Sequence, residues 1–181
     1  MLFSRKRKDE LPAPGLAGQD EAVKAVIKAV VASAPQDFDH IEYTGRCVAR
    51  TVRHEALSYP AKGLPKRLTS SDALSRAVTR LRAVMCTPEG GTWFTVRISI
   101  KGDGKAQCWF DYDEDPFATN APDPLAYLED QQAYPRADRA QPEWLKAKLA
   151  QAADRLRQRG PAHYPSWLKR AISQGQKPAW L

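Results

Sequence analysis

The densest group of reactive side chains is Asp111-Tyr112-Asp113-Glu114-Asp115, which closes an aromatic run beginning at Trp109. If a strand persists through it, Asp111 and Asp113 share a face, because side chains alternate along extended backbone. Two carboxylates so placed can hold a cation, share a proton or meet a basic protein surface. Hard cations want more oxygen ligands and a glycine-bearing loop, and no glycine follows Asp113 at a calcium-loop offset. The paired carboxylates of glycoside hydrolysis want a sugar cleft, of which the sequence gives no independent sign. Partner binding is the favoured use, and a solvated strand end is the plain alternative. Trp109, Asp111, Asp113, Glu114 and Asp115 are the candidate partner-binding residues, since tryptophan and desolvated charge dominate interface energies.

The other chemical side chains do not converge. His40, His54 and His163 are far apart, and Cys47, Cys86 and Cys108 are odd in number and scattered. Neither set has metal-ligand or disulfide spacing. The cysteines read as small buried side chains in a reducing compartment. There is no phosphate-cradling glycine loop, no nucleophile elbow and no zinc-protease motif. No catalytic residue, metal or cofactor is expected. A hydrolase assembled only in three dimensions would need a deep pocket at the acidic strand end.

Arg46, Arg50, Arg53, Arg76, Arg80, Arg82 and Arg97 invite an alternative reading, a nucleic-acid-associated accessory protein using basic helices. Against it, aromatic and basic residues do not interleave as a stacking platform requires. The most aromatic strand is acidic and would repel phosphate.

Charge is segregated along the 181 residues. The net +7 divides into +7 over residues 1–102, −7 over 103–143 and +7 over 144–181. An acidic stretch on a basic chain makes a local field that selects a basic partner. At 43% hydrophobic the chain can bury a core. No apolar run is long enough to span a bilayer. The basic start, Arg5 to Lys8, lacks the apolar stretch of a secretory signal. A cytoplasmic protein without membrane contact is expected.

The elements that must position the acidic run follow from periodicity. Residues 1–18 read as a flexible basic leader. Val23, Val26, Ile27, Val30 and Val31 give a helix over 19–34, with Asp20 and Glu21 in its first turn. Two short strands follow at 38–45 and 46–53, with Gly45 as turn or bulge, then an irregular loop over 59–68. Leu74, Val78, Leu81 and Met85 mark a helix over 71–85. Residues 93–113 are the clearest hairpin. Phe94, Val96, Ile98 and Ile100 share one face, and Gly102-Asp103-Gly104 supplies turn chemistry. Helices start near Pro124, Pro142 and Pro165. Pro-Glu-Trp-Leu at 142–145, Pro-Ser-Trp-Leu at 165–168 and Pro-Ala-Trp-Leu at 178–181 echo one another.

Gly91-Thr92-Trp93-Phe94-Thr95-Val96-Arg97-Ile98, the Gly102-Asp103-Gly104 turn, Phe110-Asp111-Tyr112-Asp113-Glu114-Asp115-Pro116, Tyr134-Pro135-Arg136 and Pro142-Glu143-Trp144-Leu145 together resemble the YezG-like immunity (antitoxin) family. The match covers about residues 70–145. It implies a bacterial, non-catalytic protein that neutralises a cognate polymorphic toxin domain, often a nuclease, by stoichiometric binding. The expected fold is α+β: an antiparallel sheet packed by the N-terminal and central helices. Residues 19–145 would form the immunity-type domain, and 146–181 a helical C-terminal extension packed on it.

Overall fold

The computed structural model describes residues 16–176 and Pro178. The fold is α+β, as expected. Helix α1 (Leu16–Val31) leads into strands β1 (Phe38–Val48), β2 (Thr51–Pro60) and β3 (Lys66–Arg67). Helix α2 (Asp72–Val84) precedes the hairpin β4 (Thr95–Lys101) and β5 (Ala106–Asp111). Helices α3 (Leu125–Ala133), α4 (Glu143–Arg159) and α5 (Ser166–Ser173) complete the order. The five strands form one antiparallel sheet, β3-β2-β1-β4-β5.

Pattern explains the main layer. Alternation along β1 buries Ile41, Tyr43 and Cys47 on one face, where Ile41 pairs with Ile100 and Tyr43 with Ile98. Val26 and Val30 of α1 and Leu74, Val78 and Leu81 of α2 close over that face and join the same core. Ser71 caps α2 by accepting from the Leu74 N–H. A second core covers one end of the opposite sheet face, where Val48, Phe94, Phe117, Tyr127 and Leu145 meet. Among the described residues nothing else packs over the remainder of that face.

Several expectations are corrected. Helix α1 begins at Leu16, so the final residues of the expected leader are helical, and Asp20 and Glu21 sit beyond the first turn. Residues 1–15 of that leader lie outside the described residues. Residues 38–48 are one long strand, not two short ones. Gly45 is interior to it because an added Cβ would lie 2.5 Å from the Tyr43 hydroxyl oxygen. The turn is Ala49–Arg50, with Ala49 at φ 49°. The predicted 59–68 loop contains the end of β2 and the short edge strand β3. Phe94 leaves the face of Val96. The N–H of Phe94 bonds the carbonyl of Asp111, which already opposes Thr95, so an extra residue turns the strand here. Trp93 joins Val96 in the first core, and Phe94 joins the second.

The Trp-Leu echo is structural at its first two copies. Pro142 has φ −59°, ψ 152°, and Pro165 φ −57°, ψ 153°. Each carbonyl accepts the N–H groups three and four residues on, and Leu145 and Leu168 are buried. The third copy reaches beyond Pro178, outside the described residues. Helix α4 begins at Glu143, so position 145 falls within its first turn.

Candidate functional site

Strand β5 ends at Asp111, and the chain bends before Asp113. The acidic run is therefore a turn rather than a two-carboxylate strand face. The Asp111 carboxylate accepts the N–H groups of Asp113 and Glu114, both at 3.0 Å. Burial pushes this carboxyl up, but those two donors and nearby Arg97 outweigh it and hold it below the ordinary range. Asp115 accepts the Phe117 N–H at 2.9 Å. It also faces Tyr127, whose buried hydroxyl is pushed up to about 12, first by burial and then by Asp115. Asp111 and Asp115 thus shape the bend.

Asp113 and Glu114 are the exposed carboxylates of the run. The backbone under Asp113 is fixed by the Trp144 indole N–H, which donates to the Asp113 carbonyl at 2.5 Å. Glu114 reaches Arg97 at 3.9 Å. Arg97 opposes Trp109 across the β4–β5 pair on the open face. Trp109 is 51% exposed, one of two large hydrophobic side chains left outside among the described residues. The structure relates Trp109 and Glu114 through Arg97 and leaves Asp113 exposed next to Glu114 on the bend. It turns Asp111 and Asp115 toward the local backbone.

The rest of the open face is polar and ordered. Arg46 pairs with Glu55 at 3.0 Å, and the Ser99 hydroxyl donates to Glu42 at 2.7 Å. His40 stacks on Tyr59 with ring centroids 4.4 Å apart. A shallow cleft lined by His40, Ser99, Lys101 and Asp103 lies at the hairpin-turn end of the sheet, away from the 111–115 bend.

Of the expected basic surface only Arg82 is buried; Arg46 and Arg53 are half-buried, and Arg50, Arg76, Arg80 and Arg97 are exposed. Arg82 is thus corrected from its expected place in that basic surface. It forms a bidentate pair with Asp130 at 2.7 and 3.1 Å and donates to the Trp93 carbonyl. Burial lowers its basicity, but Asp130 more than compensates, so the guanidinium is held above its ordinary value. The Oδ1 of Asp130 that accepts from Arg82 also accepts the Ala49 N–H. One buried cluster therefore ties α2, the β1–β2 turn, the entry to β4 and α3. Arg53 lies over the Phe117 ring, 4.7 Å from its centroid. Arg76 and Arg80 remain exposed on α2.

Sequence reasoning also missed Arg136. It is buried, lies 4.3 Å over Phe94 and donates to the carbonyls of Thr92, Tyr112 and Ala140. It anchors the 111–115 bend from behind. A signal was available in Tyr134-Pro135-Arg136, which sits isolated in an acidic segment.

Of the cysteines, Cys47 is buried and its thiol is pushed up to about 12, mainly by burial. Cys86 and Cys108 are only half-buried, so the expectation that all three are buried is corrected. Among the described residues no three His, Cys, Asp or Glu side chains converge as a metal site. No described helix is long and apolar enough to cross a membrane.

The fold and this surface define a class: a one-sided antiparallel sheet presenting a tryptophan and a charged bend on its uncovered face. The chain matches no family model and no curated protein.

Proposed function

We propose that the protein is an immunity protein, similar to the YezG-like family, that neutralises a cognate secreted toxin domain by stoichiometric binding in the cytoplasm of the producing cell. The observation that carries this reading is Trp109, 51% exposed on an open sheet face beside the outward carboxylates of Asp113 and Glu114. An exposed tryptophan rimmed by charge matches the anatomy of interface hot spots. The rigid backing supports the same reading. Trp144 and Arg136 hold the bend, so little ordering entropy is lost on binding.

The partner surface that fits is a shallow apolar slot for the indole, bordered by lysines or arginines. Such a complex blocks the toxin by covering its active surface, and complementary charge speeds encounter. The protein acts by binding and performs no reaction. The nucleic-acid reading is weaker, because Arg46, Arg53, Arg82 and Arg97 are engaged with protein groups.

The test is co-expression with the toxin domain encoded beside this chain's gene. The wild-type chain should protect growth. Trp109→Ala combined with Asp113→Lys and Glu114→Lys should abolish protection while the chain stays folded. Unchanged protection would show that the open face is not the contact surface.

A further inference from the structure

The two edges of the sheet are built differently. The β3 edge is two residues long, Lys66–Arg67, with Pro60, Lys62 and Pro65 beside it. Short, cationic, proline-flanked edges resist the addition of another strand. The β5 edge, Ala106–Asp111, is six residues long and contains neither proline nor lysine.

Its free backbone groups can be identified. The N–H of Lys101 bonds the carbonyl of Lys105, and the N–H of Phe94 bonds the carbonyl of Asp111. In an antiparallel ladder every second residue faces its partner strand, so Gln107, Trp109 and Asp111 are bonded to β4. The N–H and C=O groups of Ala106, Cys108 and Phe110 therefore point away from the sheet.

We propose that two copies of this chain pair their β5 edges antiparallel about a two-fold axis at Cys108, joining two five-stranded sheets into one. A two-fold interface must complement itself, and this strand does. With Cys108 opposite the partner's Cys108, Lys105 meets the partner's Asp111 and the small Ala106 meets the partner's Phe110. Gln107 lies against the partner's Trp109, covering an edge of the exposed indole.

Sliding the pairing by one two-residue step in either direction breaks this pattern. One slide sets Asp111 against the partner's Asp103, like against like. The other moves Lys105 opposite the partner's Asp113, past the end of the strand at Asp111, so the ladder cannot hold that pair. Strand pairing occurs at the edge and shades only one edge of each Trp109 indole, so the dimer neither requires nor excludes the toxin reading.

Sedimentation velocity of the full chain over a wide concentration range tests the pairing. The expected result is a reversible species of twice the monomer mass. Lys105→Glu changes an exposed side chain whose own-chain partner is Asp103 at the hairpin turn, and it introduces two like-charge contacts across the axis, which should weaken the dimer about tenfold. Cys108→Pro removes an outward N–H at the axis and should leave a monomer.

Mild oxidation should link the two chains through Cys108, because paired residues of a ladder come within disulfide reach. Cys108→Ser should prevent the link, while Cys47→Ser and Cys86→Ser should not. A chain that is monomeric at every concentration overturns the proposal. So does a dimer that ignores Lys105→Glu or cross-links without Cys108. Growth protection should survive Lys105→Glu, which separates failure of the dimer from failure of toxin binding.

Discussion

Arg82 and Asp130 lie 48 positions apart, yet each supplies what the other's burial requires. Removing one partner leaves an uncompensated charge in the interior, at a cost of about 3–5 kcal/mol. Arg82→Met and Asp130→Leu should each lower stability by that order in urea denaturation, and the double variant should recover most of the loss. A second residue-scale effect concerns His54, which bridges the Tyr43 hydroxyl at Nδ1 (2.9 Å) and the Ser75 hydroxyl at Nε2 (3.0 Å). His54 thus links Tyr43 of β1 to Ser75 of α2. Burial holds His54 below its ordinary value of 6.5. Between those two values the unfolded chain binds the proton that the folded chain refuses. Stability is therefore full above about pH 6.5 and falls as pH drops toward the lowered value. Urea midpoints measured from pH 7.5 down to 5.5 should decline in the wild type and flatten in His54→Gln.

Elements show which parts of the fold were legible. Helices α1 and α2 were readable because Val26, Val30, Leu74, Val78 and Leu81 repeat at helical spacing and bury one stripe each. The β4–β5 hairpin was readable because alternation and a Gly-bearing turn agree, with Gly104 at φ +85°. The β1–β2 hairpin was not, since its cues are inverted. Gly45 suggests a turn but serves close packing, while the true turn holds an alanine whose backbone is tied to Asp130 from a distant helix. Such long-range compensation leaves no trace in local spacing. Gly45→Ala should force a Cβ against Tyr43 and lower stability by about 1–3 kcal/mol, read as a shift in the thermal unfolding midpoint. The candidate site was half legible for a related reason. Composition located the 111–115 run and Trp109, but alternation extended the strand too far. The Asp111 and Asp115 side chains had to be seen capping backbone N–H groups before Asp113 and Glu114 stood out as the free carboxylates.

At the scale of the molecule, the helices α1 and α2 occupy one face of the sheet, and the second core occupies one end of the other. What remains uncovered runs from Arg97 and Trp109 to the hairpin turn, and the acidic bend lies at the border of the second core. The exposed Arg76 and Arg80 of α2 lie behind the sheet, while Asp113 and Glu114 lie at the open side together with Arg46 and Arg97. Hydrogen–deuterium exchange of the full chain, alone and saturated with the toxin domain encoded beside its gene, tests this layout most directly. The account predicts slowed exchange in β4, β5 and the 111–117 bend, with α1 and α2 unchanged. Protection confined to α1 and α2, with the β5 region exchanging as before, would contradict it.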